Sequence, residues 1–504
     1  MRTRTRAVAA TMVVLVGVAG SAAASTAATA ADSNDGRAKN VIYLLGDGMG
    51  RTHVTAARER FYGASGKLAM ESLPVVGQVS THSVERGSGQ PGQPDFAPNY
   101  VTDSASAATA WSSGVKTYNA ALGVDAKGKV APTVMELAKD AGYRTGNVST
   151  AEITDATPAG QMSHVLARGC QGPSYSASSC QDLKVTRAAL PTSDVRVTPV
   201  AEQIARNGTA DVILGGGLSR FDAADEQALR HQGYAILSSP GSQTVATRAK
   251  LETAKAGKVF GLFNKGNLTI EKSKRDNPAS AEAREPSLSQ MTRKAIDLLT
   301  NKQSTSSTGT GSHQKGFYLQ VEGALIDKRS HANDAAQTLE ETKAFDDAVR
   351  AAMEFAKRDG NTLVVVTADH ECAGFNIVEK DTFTNAEATA LPANVDSGNA
   401  ANNSAPSRTA SGARDPSRST GPVNGAGSAS PGNFAPATFR TPDDAAAVKD
   451  GSPEASLWLT YLSGNHTGAD VPLFAYGPSS SRLAGSVKNT DLFTIVGQAL
   501  HVVR

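Results

Sequence analysis

The stretch Val41-Ile42-Tyr43-Leu44-Leu45-Gly46-Asp47 decides the fold. Its apolar run shows no alternation with polar positions, so a strand built from it must be covered on both faces. Short runs of the same kind recur at residues 143–149, 211–214, 317–321 and 363–367, with helical patterns such as 132–141 and 335–358 between them. Continuously apolar strands linked by helices make a largely parallel sheet. The expected class is therefore α/β: a three-layer sandwich with a central, mostly parallel sheet flanked by helices, plus an irregular insertion near the rim of the functional site. In such sheets chemistry collects beyond the carboxyl ends of the strands.

Several of these runs end in carboxylates: Asp47 after the first, Glu322 after Phe317-Tyr-Leu-Gln-Val321, and Asp369-His370 after Leu363-Val-Val-Val-Thr-Ala368. Desolvated carboxylates repel one another and need a cation, so their coincidence points to a metal cluster. Asp327 and His331 are four apart, on one face of any helix there. His466 stands among turn residues in Ser463-Gly-Asn-His466-Thr-Gly468, before an apolar segment. Mixed His/Asp sets suit zinc, whereas an all-oxygen set such as Asp47, Thr157 and Glu322 suits magnesium. The remaining histidines, His53, His82, His164, His231, His313 and His501, have no acidic or histidine partner at ligand spacing and read as structural or exposed.

Asp103-Ser104-Ala105 opens an alanine-rich helical run ending near Trp111. A serine there meets unpaired amides at the positive end of a helix dipole, a place that suits an anion such as phosphate. Two glycine clusters carry less: in Gly46-Asp-Gly48-Met-Gly50, Arg51 takes the third glycine position of a dinucleotide fingerprint, and Gly215-Gly216-Gly217 reads as a strand-ending turn.

Composition narrows the class. Lys+Arg number 50 against Asp+Glu 48 in 504 residues, a net charge of +2, with no basic stripe interleaved with aromatics. Nothing points to nucleic-acid-specific binding or to a membrane surface. Residues 1–31 read as a secretory signal peptide: Met1-Arg-Thr-Arg-Thr-Arg6, an apolar run over 7–20 too short for a membrane span, then small residues ending near Ala31. The arginines alternate with threonines, so the general export route is expected rather than the twin-arginine one. The mature domain, 37–504, is expected to be soluble and secreted, extracellular or associated with the cell wall. Cys170 and Cys180 are expected to pair, closing a loop worth roughly 3 kcal/mol, and Cys372 is expected to be a buried free thiol. Residues 303–312 and 385–432 are too poor in apolar side chains to bury themselves; they are expected to be a surface loop and a disordered insertion.

Five segments then resemble bacterial alkaline phosphatases, in the family's order: Thr102-Asp-Ser-Ala-Ser-Ala-Ala-Thr-Ala-Trp-Ser-Ser-Gly-Val-Lys-Thr-Tyr-Asn119, Ser149-Thr-Ala-Glu-Ile-Thr-Asp-Ala-Thr-Pro158, Val321-Glu-Gly-Ala-Leu-Ile-Asp-Lys328, Val366-Thr-Ala-Asp-His370 and His466-Thr-Gly468. The resemblance implies a phosphomonoesterase in which Ser104 is the nucleophile and forms a phosphoseryl intermediate. It implies two Zn2+ ions, one on Asp327, His331 and His466 and the other on Asp47, Asp369 and His370. One Mg2+ ion would lie on Asp47, Thr157 and Glu322, with Asp155 at its waters. Arg168 would grip the phosphoryl oxygens, oriented by Asp103, and Lys328 would pair with Asp155 beside the phosphate. Small-molecule phosphate monoesters are the implied substrates, and a homodimer is the assembly to test. The segment between His370 and His466 is longer than the family's usual version. The alternatives are an exported phosphodiesterase or sulfatase of the same superfamily, or a phosphate-binding protein without turnover. Ser104-Ala-Ser-Ala-Ala108 lacks the Cys/Ser-x-Pro-x-Arg setting of a sulfatase.

Overall fold

The computed structural model describes residues 36–174, 180, 198–255, 257–301, 315–380 and 437–504. The segment 1–31 expected to be a signal peptide, the tracts 303–312 and 385–432, and His313 lie outside them. The central sheet has ten strands: β1 (Asn40–Gly46), β2 (Val75–Ser80), β3 (Arg144–Glu152), β4 (Val212–Gly216), β5 (Tyr234–Ile236), β6 (Lys258–Leu262), β7 (Phe317–Gly323), β8 (Thr362–Thr367), β9 (Val471–Tyr476) and β10 (Gly485–Lys488). They are ordered β10-β2-β9-β8-β1-β7-β3-β4-β6-β5. Only β9 runs against the rest, antiparallel to both β8 and β2. The central strands β1, β7 and β8 are buried along their whole length, as their unbroken apolar runs require.

Side chains of β7 show the two covered faces. Phe317 packs on Phe355 of the long Ala335–Asp359 helix, and Leu319 would contact a Cβ at Gly146, beside Leu299 of the Leu288–Thr300 helix. Tyr318 and Gln320 point the other way, to Gln161, to the Thr157 carbonyl and to Trp111 of the Ser104–Ser113 helix. Local chemistry sets the helix ends. Asp334 accepts from the Gln337 amide and opens Ala335–Asp359, and Gly360, at φ +74°, closes it with its N–H on the Ala356 carbonyl. The long helix thus ends where β8 must begin.

The register aligns strand ends. Leu45 is opposite both Glu322 and Thr367, so Asp47, Glu322 and Asp369 leave the sheet on one edge, at its centre. Cys170 and Cys180 form a disulfide and Cys372 is a buried free thiol. Among the described residues no helix is long and apolar enough to cross a membrane.

Candidate active site

Beyond β8 the chain leaves strand geometry at Ala368, which lets the adjacent Asp369 and His370 both face inward, each almost wholly buried. The His370 Nε2 lies 3.0 Å from Asp369 Oδ2, 3.5 Å from Asp47 Oδ1 and 3.2 Å from the Ser104 hydroxyl. Ser104 is the first residue of its helix. The cap is Asp103, whose Oδ1 accepts from the amide and the hydroxyl of Ser106. Ser104 is thereby left free of capping duty and faces the histidine.

The Leu325–His331 helix carries Asp327 and His331 on one face, Nε2 to Oδ2 3.2 Å. His466 joins them from a two-residue strand rather than a turn: His466–Thr467 pairs antiparallel with Glu371–Cys372. Its Nε2 is 3.4 Å from Asp327 Oδ1 and 3.1 Å from His331 Nε2, and its ring stacks on His370. Backbone carbonyls fix both imidazoles, His331 Nδ1 on Gly464 O at 2.7 Å and His466 Nδ1 on Thr102 O at 3.0 Å. A carbonyl can only accept, so each neutral ring carries its proton on Nδ1 and turns its Nε2 lone pair toward the other and toward Asp327.

Buried atoms without a hydrogen-bond partner collect here: Asp47 Oδ1, Thr157 Oγ1, Asp327 Oδ1, Asp369 Oδ2 and His370 Nδ1. Burial and then the charges of Asp369, Asp327 and Glu322 push the Asp47 carboxyl well above the usual range. Glu322 is pushed up to about 8, by burial first, against the Ser149 hydroxyl that donates to it, and by Asp155 and Asp369. Burial works the same way on Asp327, but where the His331 and His466 imidazoles are protonated their charge and Nε2–H groups override it and hold that carboxyl well below its usual range. Converging lone pairs on buried oxygen and nitrogen donors are what a cation site requires, and the residues fit metal ions. Asp47, Asp327 and His370 offer ligand atoms within 4.8 Å of one another, and so do Asp327, His331, His466 and Cys372. Sequence reasoning left Cys372 out of that second group. Its Sγ sits 3.7 Å from the Asp327 carbonyl, and burial followed by the Asp327 charge raises the thiol well above its usual range, which disfavours the thiolate.

A basic flank completes the arrangement. Arg168 reaches Asp103 Oδ2 at 3.3 Å and Asp155 Oδ1 at 2.7 Å, and Lys328 takes Asp155 Oδ2 at 2.8 Å. Both oxygens of Asp155 are thus held by cationic side chains. Of the histidines read as structural, His53 is wholly buried: its Nδ1 accepts from the Gly50 N–H at 3.2 Å, so Nε2 donates to Ser330 Oγ at 2.9 Å. His164 is structural as well, its Nδ1 on the Gly123 carbonyl at 2.7 Å. It pairs with Glu136 at 2.9 Å, a partner 28 residues away that spacing could not reveal. Glu371 and Ser149 were also missed, because each acts on a ligand-bearing segment rather than as part of a recognisable pattern.

The chain's relatives are consistent with this geometry. The alkaline phosphatase of Escherichia coli K12 is 36% identical over 93% of this chain and 87% of its own length. A streptomycin-6-phosphate phosphatase of Streptomyces griseus is 35% identical over 92% of this chain and 90% of its own. Among solved structures, the alkaline phosphatase of the Antarctic bacterium TAB5 superposes with a TM-score of 0.60 at 25% identity, over 93% of this chain and all of that one. A variant of the TAB5 enzyme holds magnesium in its M3 site. A family model for alkaline phosphatase matches residues 38–502, nearly everything beyond the N-terminal segment, and the chain belongs to the alkaline phosphatase family.

Proposed function

We propose that this phosphatase transfers the phosphoryl group of a monoester to Ser104 and then to water. The observation that carries the reading is the setting of the Ser104 hydroxyl. It opens a helix, lies 3.2 Å from His370, and follows Asp103, which holds Arg168. Asp327, His331 and His466 would hold one zinc ion, and Asp47, Asp369 and His370 a second. Asp47, Thr157 and Glu322 would hold magnesium, with Asp155 beside its waters. When bound, these ions supply the positive charge that acidifies the serine hydroxyl and stabilises the departing alkoxide.

The chain's own residues do the rest. The Ser104 hydroxyl gives its proton up to solvent and its oxygen attacks phosphorus in line with the ester oxygen; the P–O bond breaks, the departing oxygen takes a proton from solvent to leave as the alcohol, and a phosphoserine forms. Water then attacks from the vacated side, the Ser104–phosphorus bond breaks and inorganic phosphate leaves, with net retention. Arg168 presents two N–H groups to two non-bridging oxygens, a fork that lysine cannot copy. Asp103 and Asp155 hold that fork, and with it their charges keep the guanidinium protonated in spite of burial. Lys328, raised by Asp155 against the opposing effect of burial, adds a second fixed positive charge for a dianion. A diester offers one fewer charged oxygen to this flank, so monoesters are the better substrates. The reading extends to residues 1–31 as a cleaved export signal, to 37–504 as one catalytic domain, to secretion and to a homodimer.

The test is to quench turnover in acid and look for a phosphoryl group on the peptide containing Ser104. Its presence during hydrolysis, with alcohol released ahead of phosphate, supports the reading. Turnover without it excludes a serine intermediate, and phosphate binding without alcohol release excludes an enzyme. Rates for a diester above those for its monoester would favour a phosphodiesterase of the same superfamily.

A further inference from the structure

Glu371 follows the Asp369-His370 pair and is buried, yet it belongs to neither group of converging ligand atoms. Its Oε1 accepts from the Phe375 N–H at 3.0 Å. Its Oε2 accepts from the Gly374 N–H at 3.1 Å and from the hydroxyl of Thr467. Thr467 adjoins His466, and the backbones pair in the same place, Glu371 with Thr467 and Cys372 with His466. A third segment closes on the same side chain. A Cβ at position 50 would lie 2.3 Å from Glu371 Cγ, so the loop leaving Asp47 packs here because residue 50 is glycine. The Cys372 N–H donates to the Gly48 carbonyl at 3.0 Å and ties that loop down. One carboxylate thus sits where the segments bearing Asp47, Asp369 with His370, and His466 meet.

We propose that Glu371 is a positioning residue for the metal cluster and that the Thr467 hydroxyl is the link through which it places His466. The inference rests on the zinc reading above. Groups that orient metal ligands typically govern affinity by ten- to a hundredfold, because a displaced ligand loses bond strength while the fold persists. The Thr467 hydroxyl acts on the set Asp327, His331 and His466 alone. Glu371 acts on both zinc sets.

The experiment measures zinc dissociation constants of metal-stripped protein by competition with a chromophoric chelator, beside the melting temperature of the stripped protein. Thr467→Val keeps the side chain's shape and removes only the hydroxyl. It is expected to weaken one of two zinc ions about tenfold with the stripped protein's melting temperature unchanged, and Thr467→Ser is expected to restore the affinity. Glu371→Gln is expected to weaken both ions. Wild-type zinc affinity in Thr467→Val, or a lower melting temperature with unchanged affinity, would overturn the proposal while leaving the zinc reading standing. A wild type that binds no zinc would overturn both. The two threonine variants keep the test decisive if Glu371→Gln does not fold.

Discussion

The two ends of the central sheet both carry buried acids, and they treat them differently. At the entry end the chain satisfies them itself. Asp211, just before β4, pairs with the Lys139 ammonium and accepts from the Thr145 amide at 3.0 Å. Asp359, only half-buried, takes Asn40 Nδ2 at 3.0 Å, the Thr362 hydroxyl at 2.6 Å and the Asn361 amide at 3.2 Å. At the exit end Asp47, Asp327 and Asp369 each keep a buried oxygen without a hydrogen-bond partner. A buried carboxylate oxygen left without a donor is costly, so a fold that satisfies Asp211 and Asp359 with its own groups and leaves these three oxygens without one suits a partner that is not part of the chain.

Substitutions can break this contrast. The largest effect is expected for Ser104→Ala, which should lower monoester turnover by about a thousandfold or more while leaving metal content and fold in place; steady-state rates with elemental analysis check both. Next is a crossed pair. Asp47→Ala should release metal and cost at least about a hundredfold in rate, yet leave the stripped protein no less stable, since it removes a repelling charge. Asp211→Ala should do the reverse, lowering stability by about 1–3 kcal/mol through the orphaned Thr145 amide and Lys139, with metal content unchanged. Denaturant melts of both stripped variants decide it; parallel behaviour at the two ends would dissolve the comparison.

How much of this was legible follows from range. The strands could be read because burial on both faces leaves an unbroken apolar run, as in β1, and the acids at their ends stood out against it. The pairing of Asp327 with His331 was legible because helix geometry converts a spacing of four into a shared face. The resemblance to a known family supplied Arg168, Lys328 and the roles. Not legible were contacts made by register: the Glu371–Thr467 bridge, the Gly50 approach that supports it, and the His164–Glu136 pair. Nor was the reversal of β9, whose apolar segment gives no sign of direction.

A pH series sharpens the comparison further. Glu322 is held near 8 in the fold against 4.5 for the free group. The folded state therefore binds an extra proton between those values, and its stability falls as pH rises through them. In the stripped protein that loss should be on the order of a few kcal/mol, and bound metal should remove it. Glu341, pushed up to about 8 by burial and the Glu271 charge, titrates in the same window, so the series is best run on Glu341→Gln. The smallest effect expected is on product binding. Lys328→Ala removes an ammonium held 2.8 Å from Asp155 and should raise the inhibition constant for phosphate about tenfold; equal constants at matched pH and ionic strength would return Lys328 to a structural role.

The most direct measurement is the metal content of the purified protein against its activity. Stripping with a chelator should abolish monoester hydrolysis, and titration back should restore it in step with two zinc ions per chain, reaching the full rate with one magnesium. Undiminished hydrolysis by protein shown to be metal-free would contradict the account, because the open end of the sheet would then have no cation to serve.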